Sequence, residues 1–151
     1  GEIQSFHERR LTDLGLDGVR NKVEFFQADA SNLIDRYKGY DLILVDNIID
    51  RIYNPVKFLN SVHLRINLGG LLILSSTNDW QEEYTGRKNW IGGFKEAGEN
   101  VTTLDGLKHH PEPNFKLLTK PKEVPYVIRE RERKFQHCVA EITIWERRNK
   151  E

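Results

Sequence analysis

Polar side chains stand where two apolar stretches of the sequence end. Asp29 follows "KVEFFQA", and Asp46 and Asn47 follow "YDLILV". If both stretches are strands of an open α/β sheet, these side chains lie at the carboxyl ends of the strands, where such sheets bind ligands. A carboxylate or backbone amide there can hydrogen-bond the amino group or a ring nitrogen of a heterocycle such as adenine. The pattern therefore indicates a small-molecule site.

Asp29 also has a purely structural interpretation, because Asp is among the residues that most often cap a helix. A short helix predicted over 31–39 would begin just after it. For Asp29 alone the two interpretations weigh equally. The two tips taken together, followed by "INLGGLLILSS", favour the ligand.

The elements that must position these residues form a strand, a helix and a strand. Residues 40–46 are a continuous apolar run, which is typical of a strand buried on both faces of a parallel sheet. A second apolar strand is predicted over 71–76. The stretch between them carries a helical apolar stripe, so the order and spacing predict a βαβ unit and a parallel sheet.

The helix of this unit is predicted over 54–70. Asn54 can cap it, and Pro55 suits the first helical position because its missing N–H would have no intrahelical partner there. Gly69 and Gly70 are predicted to end it.

The rest of the chain is assigned from weaker patterns. We treat residues 1–151 as a single domain. The stretch 77–101 is polar, rich in glycine and aromatic residues and without a clear period, which is typical of a lid or binding loop. The remaining predicted elements are helices over 2–14, 31–39 and 103–110, and strands over 22–29, 114–120 and about 137–146.

Composition excludes several classes of protein. Lys plus Arg is 23 and Asp plus Glu is 23, so no charge excess favours nucleic acid or an anionic membrane as partner. No apolar run approaches the ~20 residues of a membrane-spanning helix. The single Cys138 excludes an intramolecular disulfide and fits a reducing compartment, so we expect the cytoplasm. His109 and His110 lack supporting thiols or acids, and no metal site is predicted.

Three segments together resemble the second half of a class I S-adenosylmethionine-dependent methyltransferase: "VEFFQADASNL", "YDLILVDNIIDR" and "NPVKFLNSVHLRINLGGLLILSS". Later segments, "TNDWQEEYTGRKNWIGGF", "TTLDGLK" and "VPYVIRERERKFQHCVAEITIWERR", are similar to the methyltransferase domain of ovothiol-biosynthesis enzymes. In those enzymes the domain, a 4-mercaptohistidine N1-methyltransferase, follows a 5-histidylcysteine sulfoxide synthase. The resemblance implies a Rossmann-like sheet, S-adenosylmethionine as cofactor and a small-molecule acceptor, and it raises the expectation of an upstream synthase domain.

One large departure from that family concerns the start of its sheet. The first two strands and the Gly-rich loop that holds the methionine part of the cofactor have no counterpart here, and no G-x-G-x-x-G occurs. The chain also begins at Gly1 and contains no methionine. We therefore expect the C-terminal two-thirds of a methyltransferase domain, which alone binds the cofactor poorly and is inactive.

The resemblance assigns roles to named residues. It places Asp29 and Ala30 against adenine, and Asp46 and Asn47 at the methyl-transfer centre, with Asp46 also contacting the cofactor. Aromatic residues after the next strand are expected to wall the acceptor pocket, and arginines near the C-terminus to bind a substrate carboxylate, since Arg suits bidentate contacts. These substrate-binding candidates are Trp80, Tyr84, Tyr126, Arg129 and Arg133.

A second hypothesis comes from a different class of protein. The chain would be a non-catalytic assembly or interaction module with a degenerate methyltransferase fold. A sheet without its first strands leaves unpaired edges before Asp29 and Asp46, and such edges pair with other chains. This hypothesis predicts a homodimer or strand exchange.

Overall fold

The computed structural model describes residues 7–111 and 114–149, which form a mixed α/β fold with few helices. Its regular elements, in chain order, are β1 (Tyr40–Asp46), α1 (Pro55–Val62), β2 (Ile66–Ser76), β3 (Phe94–Glu96), β4 (Glu99–Val101), α2 (Thr103–His109), β5 (Phe115–Leu117), β6 (Lys122–Arg131) and β7 (Lys134–Arg147). Short 3-10 turns lie at Thr12–Leu14, Asp17–Lys22, Ala30–Asn32 and Arg87–Asn89.

The main sheet has five strands in the order β1-β2-β7-β5, with β6 also paired to β7. β1 and β2 are parallel, as the sequence predicts, but β7 runs antiparallel to β2, β5 and β6. The prediction of a parallel sheet therefore holds only for the βαβ unit. Because β7 runs opposite to β2, its first half extends past the carboxyl end of β2 and forms a hairpin arm with β6.

The core lies on one face of the sheet, under α1. Leu59 and Val62 of the helix, Leu72 and Leu74 of β2, and Trp145 of β7 are all buried. The prediction for the start of the helix is confirmed, because the Asn54 side chain accepts a hydrogen bond from the Lys57 N–H (2.9 Å) and Pro55 opens the first turn.

The predicted end of this helix is wrong. α1 stops at Val62, and Gly69 and Gly70 lie inside β2 instead. Gly69 has φ +78°, and a Cβ at Gly70 would lie 3.0 Å from the carbonyl oxygen of Asp41. The register between β1 and β2 shifts at this point. The two glycines therefore form a bulge in the strand, where φ above zero and close backbone approach both favour glycine.

The predicted helix over 31–39 is replaced by a single 3-10 turn and a loop. The buried Arg65 donates to the carbonyl oxygens of Leu33 (2.9 Å), Ile34 (2.9 Å) and Tyr37 (3.0 Å). The Arg65 contacts hold these carbonyls in a loop, in which Ile34 also accepts from the Tyr37 N–H (3.3 Å) and no α-helical ladder forms. The segment is shaped by a side chain about thirty residues further along the chain, and local sequence does not report that contact.

The predicted N-terminal elements are also absent from the described residues. Of the helix over 2–14, residues 2–6 lie outside the described part, and the remainder contains only the turn Thr12–Leu14. Residues 23–29 form no strand. Every residue from 7 to 29 is exposed, Phe25 to 95%. An isolated apolar stretch without a neighbouring strand has no ladder to join.

β1 is buried on one face only. Val45 is buried, but Leu42 is 53% exposed and Leu44 is 62% exposed, which corrects the expectation of a strand covered on both sides. β1 is also an edge strand, and within 7–111 and 114–149 no strand pairs with its outer side.

The C-terminal part contains one strand that the sequence did not predict. β6 pairs with β7 over almost its whole length, with Tyr126 opposite Cys138. Its sequence, KEVPYVIRER, has uncharged residues at 124–128 and ends in alternating Arg and Glu, and it contains Pro125, which is uncommon inside a strand. The strand predicted at about 137–146 is confirmed and is longer at its start, and the predicted strand 114–120 and helix 103–110 are observed as β5 and α2.

Across the described ranges, no helix combines the length and the apolar character that crossing a bilayer requires.

Candidate functional site

The carboxyl ends of β1 and β2 are joined by a polar network. The Ser75 hydroxyl donates to Asp46 Oδ1, and the Asn47 amide group donates to the same oxygen (3.1 Å). The backbone N–H of Asn47 donates to the Ser75 carbonyl oxygen (2.9 Å). Asp46 is exposed while Ser75 is buried. One carboxylate oxygen is thus anchored, and the group faces solvent where the parallel strands end.

Asparagines in left-handed backbone conformations follow both strands. Asn47 after β1 has φ +50°, and Asn78 after β2 has φ +56°. Asparagine tolerates this conformation better than most residues, and held backbones of this kind concentrate at functional sites. Both tips therefore turn sharply at the position where a ligand would contact them.

The hairpin arm closes one side of the strand tips. Tyr126 of β6 donates its hydroxyl hydrogen to Asn47 Oδ1 at 3.4 Å, and Cys138 of β7 is hydrogen-bonded to the same hydroxyl. Between the tips and the arm lies an open cleft of about 430 Å³. Its lining includes Asn47, Arg51, Asp79, Tyr126, Gln136 and Cys138.

A charged wall forms the other side of this cleft. Arg51 donates to the Asp79 carbonyl oxygen (2.7 Å) and to its carboxylate (3.1 Å), and its guanidinium lies 4.9 Å from the centre of the Tyr84 ring. The buried Asp50 accepts a hydrogen bond from the Asp79 N–H (3.0 Å). The loop after β1 and the loop after β2 are thereby fixed to each other.

The phenol of Tyr126 ionises less readily than a free tyrosine. Its pKa is raised by burial against the hairpin, next by the neighbouring Cys138 thiol, and then by the carboxylates of Asp46 and Asp50. Tyr126 thus stays protonated at neutral pH and donates a hydrogen bond into the cleft.

Replacing Cys138 by alanine is expected to lower the pKa of Tyr126, because a thiolate beside a phenol disfavours a second negative charge. An ultraviolet difference titration of phenolate absorbance measures this, with Tyr126→Phe identifying the signal. A Tyr126 titration unaffected by Cys138→Ala would contradict the contact between the two side chains.

Because the pKa of Tyr126 is raised in the folded state, the stability that Tyr126 contributes is lost as pH rises past about 10.

The residues singled out in the sequence fall into three groups in the structure. Asp46, Asn47 and Tyr126 come together at the cleft, and Tyr84 reaches its wall through Arg51. Trp80 is buried in the core, where its indole donates to Thr103.

Among the described residues, the other members make no hydrogen bond to this network. Asp29 caps the turn Ala30–Asn32 by accepting from the Ser31 N–H (2.8 Å), and Ala30 packs partly against the core. Ser31 in turn accepts from the Asn54 N–H (3.0 Å), which places this turn at the start of α1. Arg129 and Arg133 are exposed, in β6 and in the turn after it.

Sequence reasoning missed several members of the cleft. Ser75 sits at the end of an apolar strand, and that position was the available signal. Arg51 and Asp79 follow the same two strands. Cys138, used above to exclude a disulfide, is half-buried and lines the cleft. His137, its neighbour on the strand, is exposed, and its side chain points to the opposite face.

The histidines and acids of the described residues form no cluster of three or more that could hold a metal ion. His109 and His110 contact each other edge to face at 5.1 Å between ring centres. Burial, followed by the charge of Arg147, lowers the pKa of His63, so its neutral form is favoured in the fold.

Comparisons with known proteins give a likeness of fold. No family model matches the chain, and no curated protein matches it. Among solved structures, a chain described in terms of the conversion of a disulfide bond into a thioacetal group during echinomycin biosynthesis is similar to it, with a TM-score of 0.56 and 12% identity. The match covers 90% of this chain but 62% of that one, so this chain spans less than two thirds of the solved structure. At this identity the likeness concerns the fold alone.

Proposed function

We propose that this chain is part of a class I S-adenosylmethionine-dependent methyltransferase with a Rossmann-like sheet, acting on a small-molecule acceptor. The observation that carries the proposal is the polar cleft at the carboxyl ends of the parallel strands β1 and β2, the place where open α/β sheets bind ligands.

The strand tips, and separately the turn that begins at Asp29, offer groups that would fit two parts of the cofactor. A sulfonium is a cation, and the strand tips offer it the Asp46 carboxylate and the Asn47 side-chain oxygen. The amino group of adenine needs an acceptor, and we assign that role to the exposed carboxylate of Asp29, beside Ala30. The described residues contain no Gly-rich turn after a strand, so the methionine end of the cofactor would be held by polypeptide outside this chain.

When bound, the cofactor supplies a methyl group that is already activated for displacement. The chain's own residues then need to orient the acceptor and exclude water. We propose the imidazole nitrogen of a thiol-bearing histidine as acceptor. Imidazole has an ordinary pKa of about 6.5 and is largely neutral at pH 7, so no general base is required. The protonated phenol of Tyr126 and the Arg51–Asp79 pair would position it.

A methyl-transfer assay tests this function. Two polypeptides are compared: this chain, and a longer one that also includes any residues that the gene encodes ahead of Gly1. Each is incubated with S-adenosylmethionine and either 4-mercaptohistidine or histidine. We expect mass spectrometry to find a singly methylated thiol-bearing product with the longer polypeptide and none with the chain alone. Absence of a methylated product with both polypeptides and both acceptors would contradict the proposal.

The adenine assignment has a separate test in the same longer polypeptide. Asp29→Ala should weaken S-adenosylhomocysteine binding, while Asp35→Ala, at an exposed acid nearby, should not. Equal affinity of both variants would remove Asp29 from the site.

A second candidate function is an assembly module, and the open edge of β1 favours it. Two copies paired antiparallel about Ile43 would place Leu42 opposite Leu44 of the other copy. The same register puts Asp41 opposite Val45 and Asp46 opposite Tyr40, so no carboxylates face each other. Exposed apolar side chains on an unpaired edge are a template for such pairing.

Sedimentation equilibrium is expected to show a concentration-dependent dimer that Leu44→Lys disrupts, because a charge on each copy would be buried in the contact. Val127→Lys is the matched control, since Val127 is 59% exposed on the hairpin arm and lies outside the contact. A monomer at all concentrations, or equal effects of the two substitutions, would contradict the assembly function.

A further inference from the structure

The segment between β2 and α2, which the sequence predicts to contain a lid or binding loop, packs closely on α2. Trp80 is buried and its indole N–H donates to Thr103 Oγ1 at 2.9 Å. A Cβ added at Gly92 would lie 2.2 Å from the backbone nitrogen of Thr103, and one at Gly106 would lie 2.0 Å from the Ile91 carbonyl oxygen. Backbone thus packs directly on backbone, and the segment presents a fixed surface.

Trp90 is fixed on the same surface. Its indole N–H donates to the Thr85 carbonyl oxygen at 2.7 Å. Thr85 is fully buried, and its hydroxyl donates to the Ile52 carbonyl oxygen at 2.7 Å. The Trp90 ring is half-buried, so one part packs on the protein while another part remains accessible.

The accessible part of Trp90 lines an open groove of about 840 Å³ between the turn Arg87–Asn89 and the β3–β4 hairpin. Phe94 adds a second aromatic ring. Arg87, Lys88 and Lys95 also line the groove, and no acidic residue does. The groove is therefore both aromatic and cationic.

The positive charge of this groove is poorly compensated. Arg87 lies over the Trp90 ring at 5.6 Å, and its nearest carboxylate oxygen, on the exposed Glu82, is 4.0 Å away. The side chains of Lys88 and Lys95 make neither an ion pair nor a hydrogen bond to any residue within 7–111 and 114–149. Arg87 thus has one exposed counter-charge, while Lys88 and Lys95 have no ion pair among the described residues. Cations in excess of acids attract an anion, and an aromatic wall adds a surface for a planar ring.

We propose that this groove binds a small anionic ligand that carries a planar ring. The ring stacks on Trp90 and Phe94, and the anionic group, a phosphate or a carboxylate, is bound by Lys88, Lys95 and Arg87. The site is separate from the cleft at Asn47 and Tyr126. Ligand binding in the groove does not depend on methyl-transfer activity, so this proposal can be tested independently of that function.

The three tryptophans supply a local readout for this ligand. Each indole N–H has its own acceptor: Thr103 Oγ1 for Trp80, the Thr85 carbonyl for Trp90 and Thr143 Oγ1 for Trp145. In a ¹⁵N-labelled chain each gives a separate indole cross-peak, assigned by Trp→Phe substitution. Adenosine 5′-monophosphate and indole-3-acetate are titrated as phosphate and carboxylate probes, with adenosine and inorganic phosphate as partial ligands.

The Trp90 peak is expected to move with at least one of the two ring-bearing anions, while the peak of buried Trp145 stays in place. Adenosine and inorganic phosphate should each bind more weakly than the nucleotide. The double variant Lys88→Gln with Lys95→Gln should weaken the anions about tenfold or more, because two charged contacts are lost. The charge-matched control, Lys38→Gln with Lys120→Gln, changes exposed lysines outside the groove and should keep the wild-type affinity.

Three results would overturn the assignment. The first is a Trp90 peak that neither anion moves. The second is equal affinity for adenosine and for the nucleotide, which would remove the role of charge. The third is equal weakening by the two double variants, which would leave only a general electrostatic attraction.

Discussion

Replacing Gly92 by alanine is expected to lower the free energy of unfolding by about 3 kcal/mol or more. The new Cβ would lie 2.2 Å from the backbone nitrogen of Thr103 and 2.4 Å from the carbonyl carbon of Thr102. Backbone atoms cannot rotate away as a flexible side chain can, so α2 or the Gly92 segment must move. Urea denaturation followed by circular dichroism measures the loss.

The matched control for this prediction is Gly86→Ala. Gly86 has φ −55°, and a Cβ there meets nothing within 4 Å. Alanine is therefore expected to be neutral or to stabilise by up to about 1 kcal/mol, through the unfolded chain. A difference of less than about 1 kcal/mol between the two variants would contradict the close packing of the segment on α2. It would also contradict the fixed position of the groove that Trp90 lines.

Replacing Arg65 by methionine is expected to cost about 3 kcal/mol of unfolding free energy. Methionine keeps the apolar length of the side chain but leaves three carbonyl oxygens without their guanidinium donors. A hydrogen bond to a charged group contributes about 1.5–3 kcal/mol net, and part of the loss is offset because water reaches the exposed Ile34 and the half-buried Leu33 and Tyr37. The loss falls on residues 30–37, which adjoin Asp29. Hydrogen exchange should therefore quicken there first.

Arg20→Met controls for the removal of an arginine in general, because Arg20 lies exposed in the turn Asp17–Lys22. It is expected to change stability by less than about 0.5 kcal/mol. Equal stability of the two variants, or unchanged exchange over 30–37, would show that Arg65 does not hold this loop.

The elements predicted well from sequence are those whose signals are local. β1 and β2 were recognised from apolar runs, and the start of α1 from Asn54 and Pro55, because a cap and a first-turn proline act within one helical turn. α2 ends before Pro111, which cannot continue a helix.

The elements predicted wrongly depend on distant partners. Arg65 decides the shape of 33–37, and the bulge at Gly69 and Gly70 depends on the neighbouring β1. β6 exists because β7 pairs with it, and its sequence, KEVPYVIRER, includes a proline, which is uncommon inside a strand. A reading of local sequence registers none of these contacts.

The residues of the candidate site also divide into those with a local sequence signal and those without one. Asp46 and Asn47 were found because the ends of parallel strands converge at one edge of a sheet. Tyr126 was named from a family resemblance, and its contact with Asn47 spans 79 residues of chain. Ser75 was missed although it stands at the end of an apolar strand, and Cys138 was missed because a cysteine within a strand carries no local sign of a site.

Calorimetric titration of S-adenosylhomocysteine tests the central claim, that the tips of β1 and β2 form part of a methyltransferase cofactor site. The titrated proteins are this chain and the same chain with up to about 80 further residues from its gene ahead of Gly1, the length of two βα units. We expect binding to the longer polypeptide at least about tenfold tighter than to the chain alone. Asp46→Asn should weaken that binding and Asp35→Asn should leave it unchanged. No binding to the longer polypeptide, or an affinity unaffected by Asp46→Asn, would show that the tips of β1 and β2 do not form this site.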